Sequence, residues 1–193
     1  MAPTIGVLAL QGAFRAHAER LLTIGAHVAE VRTPEQLASV DALVMPGGES
    51  TTMSNLLTSS GLAGPIADRI AEHMQVFGNC AGMILLADTI LDGRPDQQSF
   101  RALDITVRRN GYGRQINSFE TDLAIDGLDS PFHGVFIRAP RVESVGSDVE
   151  VLARYADDPV LVRHGGVMAA SFHPELTNDT RLHETFVQQL EER

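Results

Sequence analysis

The sequence predicts an α/β fold: three layers, with a mostly parallel central sheet flanked by helices and extended by antiparallel additions. Three observations carry that expectation. The first half of the chain alternates short apolar or β-branched runs with helical patterns, the order a parallel sheet covered on both faces requires. The second half is a series of short strands separated by turn residues, the pattern of antiparallel pairing. No linker, repeat or low-complexity stretch divides the 193 residues, so they are read as one domain, 1–193, with 44% hydrophobic residues to build its core.

Element by element, Thr4–Leu10 is apolar throughout, as a strand buried on both faces must be. Ala13–Ile24 sets Phe14, Ala18, Leu21 and Leu22 on one helical face, and Gly25 can end that helix. His27–Arg32 reads as a second strand, Pro34–Ser39 as a short helix and Ala42–Met45 as a third strand, broken by Pro46-Gly47-Gly48 before a helix starting near Ser50. Gln75–Asn79 is a fourth strand running directly into a helix over Ala81–Ala87. Then come the short strands Leu103–Arg108, Ser118–Ile125, Gly134–Ile137, Val149–Tyr155, Val160–Arg163 and Val167–Phe172, punctuated by Asp126-Gly127 and Gly165-Gly166. A helix from about Thr180 to Leu190 closes the chain. In such a sheet, function belongs at the carboxyl ends of the parallel strands.

Composition narrows the chemistry. The formal charge is -10, from 15 basic and 25 acidic residues. All 15 basic residues are arginine, which excludes Schiff-base chemistry on this chain and a phosphate-loop lysine. An acidic chain is poorly suited to phosphate backbones, so no nucleic-acid partner is expected. A single cysteine, Cys80, allows no intrachain disulfide and no multi-cysteine metal site. It also points to the reducing cytoplasm, and no apolar stretch approaches membrane-spanning length.

Three motifs fall at strand ends. Gly78-Asn79-Cys80-Ala81-Gly82 places a cysteine on a strand-to-helix turn between glycines, the nucleophile-elbow arrangement. The helix that follows presents its amides and positive dipole end, which favour thiolate over thiol. A lone cysteine is otherwise usually an inert small hydrophobe. Pro46-Gly47-Gly48-Glu49-Ser50 follows the third strand. It is either a plain loop whose Glu49 or Ser50 caps the next helix, or a loop whose backbone N–H groups, with that of Ala81, form an oxyanion hole. Such donors are typically worth about 3 kcal/mol of barrier each. His173-Pro174-Glu175 offers a base with a carboxylate to orient it, in chain order nucleophile, base, acid. The other six histidines, His17, His27, His73, His133, His164 and His183, show no metal-ligand spacing and are read as structural or surface residues.

With these motifs the chain resembles the class I glutamine amidotransferases, a flavodoxin-like fold with a Cys-His-Glu triad. More closely it resembles the subfamily of glutaminase subunits of pyridoxal 5′-phosphate synthases. The resemblance rests on IGVLALQGAF, MPGGESTT, GNCAGMILLA, RRNGYGRQINSFE, FIRAPRVESVG and SFHPEL. It implies catalytic roles for Cys80, His173 and Glu175, glutamine contacts from Gly47, Gly48, Glu49, Arg109, Ile137 and Arg138, and an oxyanion hole from Gly47, Gly48 and Ala81. It further implies hydrolysis of L-glutamine through a thioester with no metal and no cofactor. Ammonia would pass to a TIM-barrel synthase subunit in a hetero-oligomeric complex, and docking of that subunit would complete the oxyanion hole. One departure stands out: Asn79 occupies a position that is usually threonine. Its side chain is expected to point away from the cleft, into the packing behind the elbow, altering support for Cys80. Three rival readings remain: a glutaminase domain serving another biosynthetic amidotransferase, a non-catalytic binding module on the same fold, and a cysteine peptidase or related hydrolase.

Overall fold

The structure, a computed structural model, describes residues 3–112 and 118–191. The chain runs β1 (Thr4–Leu8), α1 (Phe14–Thr23), β2 (His27–Val31), α2 (Pro34–Ala38), β3 (Ala42–Met45), α3 (Ser50–Ser59), α4 (Ala63–Ala71), β4 (Gln75–Asn79) and α5 (Ala81–Leu86). It continues with β5 (Ala87–Leu91), β6 (Leu103–Arg108), β7 (Ser118–Leu123), β8 (Phe132–Ile137), β9 (Arg141–Val145), β10 (Glu150–Tyr155), β11 (Asp158–His164), β12 (Val167–Ala170) and α6 (Arg181–Glu191). The predicted helix from Ser50 is thus followed by α4, and β5 and β9 are additions that the reading of the sequence lacks.

A seven-stranded sheet has the order β10-β11-β12-β4-β3-β1-β2. Five strands, β12 through β2, pair in parallel, while β10, β11 and β12 pair antiparallel. The expected parallel core with antiparallel additions is therefore present, and the Gly165-Gly166 turn does join an antiparallel pair. A three-stranded sheet, β5-β6-β9, and the hairpin β7-β8 lie apart from it.

Alternation along the central strands explains the layers. Ala42 and Val44 of β3 join Ile5, Val7, Phe77, Met168 and Ala170 in a core with Leu21 of α1 and Leu182 and Phe186 of α6. Leu43 and Met45 face the opposite way, into a core with Leu37 of α2, Met53 and Leu57 of α3, Ile66 of α4 and Met83–Leu86 of α5. A strand whose successive side chains point to opposite faces must be apolar at every position when both faces are covered. All four residues of β3 and all five of β4 are buried.

The site follows from the strand order. β4 lies between β3 and β12, with Met45 opposite Gly78 and Asn79 opposite Ala170. The loops leaving the carboxyl ends of β3, β4 and β12 therefore emerge side by side. These loops carry Gly47-Gly48-Glu49, Cys80 and His173.

Candidate active site

Cys80 sits at φ 49°, ψ -104°, between β4 and α5. That region is costly for a non-glycine residue and persists only where the surroundings impose it. Here the Cys80 amide donates to the Ala170 carbonyl at 2.8 Å, and its carbonyl accepts from the Ile84 amide at 3.2 Å. The flanking glycines make the turn possible. A Cβ on Gly78 would fall 2.6 Å from Leu86 Cδ1, and one on Gly82 would collide with the Met45 carbonyl. At the start of α5 the first-turn amides, Ala81 among them, have no intrahelical acceptor.

His173 follows β12, and its own amide donates to the Val135 carbonyl of β8 at 2.8 Å. Its Nδ1 lies 2.8 Å from Glu175 Oε1, and it lines the same cleft as Cys80. Glu175 lies in the short 3-10 turn Pro174–Leu176 and is buried. Burial disfavours an imidazolium, but the hydrogen bonds to Cys80 and Glu175 and their charges outweigh it and push His173 up to about 10. Burial likewise opposes charge on Glu175. The hydrogen bond from His173 and the His173 charge nevertheless hold the carboxyl below its ordinary value.

The loop after β3 is pressed against this pair. A Cβ on Gly47 would fall 2.5 Å from His173 Cε1. Gln11 and Gly12 hold the loop from the other side. Gln11 Nε2 donates to the Glu49 carbonyl at 2.8 Å, a Cβ on Gly48 would fall 2.6 Å from Gln11 Nε2, and one on Gly12 would collide with the Gly47 carbonyl. The LALQG segment thus seats the Gly-Gly loop.

Glu49 caps α3, accepting from the Thr51 and Thr52 amides at 3.0 and 2.7 Å and from Thr52 Oγ1 at 2.8 Å. Burial works against its charge, but those donors prevail and bring the carboxyl down to about 2. The capping reading of Glu49 is therefore realised, and the residue lines the cleft as well. Its Oε1 also accepts from Arg109 Nη2 at 2.8 Å, while Arg109 Nη1 donates to Gln97 at 3.3 Å.

One cleft of about 160 Å³ is lined by Gly48, Glu49, Cys80, Arg109, Ile137, Arg138 and His173, together with Ser50, Ile84 and Asn110. Arg138 adopts φ 43° just past β8, a further left-handed position at the cleft. Of the residues expected from the sequence, Gly47 abuts the His173 ring and Ala81 begins the helix behind Cys80, so all are brought to one place. Asn110, Ile84, Ser50 and Gln11 were not foreseen. Residues 113–117 of the RRNGYGRQINSFE segment lie outside the described residues. Among the described residues no group of three or more His, Cys, Asp or Glu is placed to hold a metal ion, and no helix is long and apolar enough to cross a membrane.

One expectation needs correction. Asn79 is buried behind the elbow as expected, at 1% exposure, but its amide lies among the polar groups of the site rather than in plain packing. It contacts His17, His173 and Glu175. Of the six histidines set aside, His27, His73, His133 and His164 are exposed, whereas His17 and His183 are wholly buried. His17 reaches Glu175 Oε2 at 3.5 Å. Burial keeps His17 below its ordinary value and takes His183 to about 3.

The whole length of the chain has relatives. It is 56% identical over 187 residues to pyridoxal 5′-phosphate synthase subunit PdxT of Mycobacteroides abscessus, covering 97% of each chain. It is also 56% identical to the protein of the same name from Parafrankia sp., covering 97% of this chain and 93% of the relative. A crystal structure of a glutamine amidotransferase superposes with TM-score 0.91 at 50% identity, over 97% of this chain and 98% of that one. PurLQS from Thermotoga maritima superposes with TM-score 0.71 at 17% identity, over 98% of this chain and 100% of that one, a likeness of fold alone. The SNO glutamine amidotransferase family matches residues 7–192. On that match and those identities, this chain belongs to the SNO glutamine amidotransferase family.

Proposed function

We propose that the chain is the glutaminase subunit of a pyridoxal 5′-phosphate synthase. It hydrolyses L-glutamine to L-glutamate and ammonia and supplies the ammonia to a TIM-barrel synthase subunit in a hetero-oligomeric complex in the cytoplasm. The observation that carries the reading is the Cys80–His173–Glu175 line at the floor of a cleft walled by Glu49, Arg109 and Arg138. Its support from relatives is the name shared by proteins more than half identical over nearly the whole chain.

In this reading the thiolate of Cys80 attacks the side-chain amide carbon of glutamine. The developing charge on the amide oxygen is met by N–H groups of Gly47, Gly48 and Ala81. The C–N bond breaks as the His173 imidazolium gives its proton to the departing ammonia, leaving a γ-glutamyl thioester on Cys80. Water then attacks the thioester, His173 accepts its proton, and glutamate leaves as the thiolate is restored. Glu175 holds His173 Nδ1, which keeps Nε2 toward the sulfur.

The cleft walls suit a free amino acid. Glu49, ionised throughout the neutral range, offers a fixed negative charge for an α-ammonium. Arg109 is tied to Glu49, whereas no ion pair of Arg138 is found among the described residues. Arg138 is therefore the guanidinium most open to an α-carboxylate, whose planar geometry it matches.

The test is glutamate release by wild type and Cys80→Ala, each with and without the synthase subunit. The expected pattern is strong release by wild type with the subunit, weak release without it, and none from Cys80→Ala. Turnover that survives Cys80→Ala would overturn the assignment, and equal turnover with and without the subunit would overturn the dependence on docking.

A further inference from the structure

We infer that Asn79 is a positioning residue for the triad: its amide ties the outer face of Glu175 to a buried pair of histidines and so fixes the proton pattern on His173. The inference rests on the glutaminase reading above and deepens it.

The contacts form one buried chain. His183 Nε2 lies 3.0 Å from His17 Nδ1, and His17 Nε2 lies 2.7 Å from Asn79 Oδ1. Asn79 Nδ2 lies 3.2 Å from Glu175 Oε2, and Glu175 Oε1 lies 2.8 Å from His173 Nδ1. His17, His183, Asn79 and Glu175 are all at 2% exposure or less. The chain ties α1 and α6 to β4 and the loop after β12.

Donor and acceptor accounting leaves one arrangement. The amide oxygen of Asn79 can only accept, so His17 Nε2 carries a proton. His183 Nδ1 has no partner and an unpaired buried N–H is the costlier defect, so His183 carries its proton on Nε2 and donates it to His17 Nδ1, which leaves His17 neutral. At the other end, the Asn79 amide nitrogen donates to Glu175 Oε2. A flipped amide would set its oxygen against that carboxylate and its NH2 against the proton of His17. Asn79 Nδ2 also lies 3.4 Å from His173 Nδ1. Both are donors in this pattern, so that approach is no hydrogen bond, and Nδ1–H is directed to Glu175 Oε1. Both carboxylate oxygens are thereby engaged, the carboxylate cannot rotate, and His173 has its second nitrogen free for Cys80.

A threonine or serine at position 79 keeps a donor and an acceptor there, because a hydroxyl donates and accepts at once. Valine has the shape of threonine without the hydroxyl. The decisive comparison is therefore Asn79→Thr against Asn79→Val in complex with the synthase subunit, with kcat and KM for glutamine measured separately. We expect Asn79→Thr to stay within about threefold of wild-type kcat, since its hydroxyl retains a donor and an acceptor beside Glu175 and His17. We expect Asn79→Val to lose about tenfold or more in kcat, the scale of one charged hydrogen bond, with KM unchanged. If the valine variant does not fold, Asn79→Ser against Asn79→Ala reads the same difference. Equal kcat for the hydroxyl and apolar variants, or a loss confined to KM, would overturn the inference. Wild-type turnover that is insensitive to Cys80→Ala would instead overturn the glutaminase reading on which it stands.

Discussion

His173 and His183 are buried imidazoles joined to the same carboxylate, one directly and one through His17 and Asn79, yet the protein drives them in opposite directions. His173 meets the cleft, touches both Cys80 and Glu175, and is pushed up to about 10. His183 lies behind the sheet strand, wholly buried beside another imidazole, and is taken down to about 3. A buried histidine thus has no set tendency. Cys80 and a carboxylate beside it favour the cation, while burial next to a second ring makes it a pure hydrogen-bonding unit. The front of Glu175 is arranged to hold charge and the back to exclude it.

The sharpest way to break the front is to remove the sulfur. Cys80→Ala should lower glutamine turnover by about a thousandfold or more, since the covalent route is lost entirely. Steady-state glutamate release with the synthase subunit present checks it. Gly47→Ala should cost on the order of a hundredfold in kcat, because its Cβ would fall 2.5 Å from His173 Cε1 and displace the base. A wild-type rate in that variant would mean the Gly47 backbone does not constrain His173.

Smaller effects test the walls of the cleft. Arg138→Ala should raise KM for glutamine by roughly 10- to 100-fold with little change in kcat, the scale of a charge-assisted hydrogen bond. Arg109→Ala should cost less, because part of its role is to hold Glu49.

The smallest effect separates front from back by the sign of its pH dependence. His173 is raised above its ordinary 6.5, so its contribution to stability is full below 6.5 and is lost as pH rises through about 10. His183 is depressed, so its contribution is present above 6.5 and is lost as pH falls toward 3. Thermal melting should therefore drop on both sides of neutrality, by about 3 °C for each kcal/mol in a domain of this size. His183→Phe should flatten the acid limb alone, and Glu175→Gln should flatten the alkaline limb. An unchanged acid limb in His183→Phe would remove His183 from the account.

The front of the site was legible in the sequence because its signals are local. Gly78-Asn79-Cys80-Ala81-Gly82 and His173-Pro174-Glu175 each carry their geometry within a few residues. The parallel strands could be read from their unbroken apolar runs. The pairing of β12 with β4 could not, since about ninety residues separate them, and that pairing is what brings His173 to Cys80. The back was illegible for the same reason: His17 and His183 meet across 166 positions. Nothing near either histidine marks it as more than a polar residue on an amphipathic helix. Gln11 was hidden similarly, being a polar side chain after a strand until the Gly-Gly loop is seen against it. β5 and β9 were missed because Ala87–Leu91 follows α5 without a break and Arg141–Val145 is mostly polar or half-exposed.

The central claim is that Cys80 forms a covalent γ-glutamyl intermediate under the control of His173. The most direct measurement is intact-mass and peptide mapping after exposure of the complex to an electrophilic glutamine analogue bearing a diazo ketone in place of the side-chain amide. The account predicts one adduct per chain, on Cys80, prevented by excess L-glutamine and slowed when His173 is replaced by alanine. No adduct on Cys80 in a complex that still releases glutamate from glutamine would contradict it.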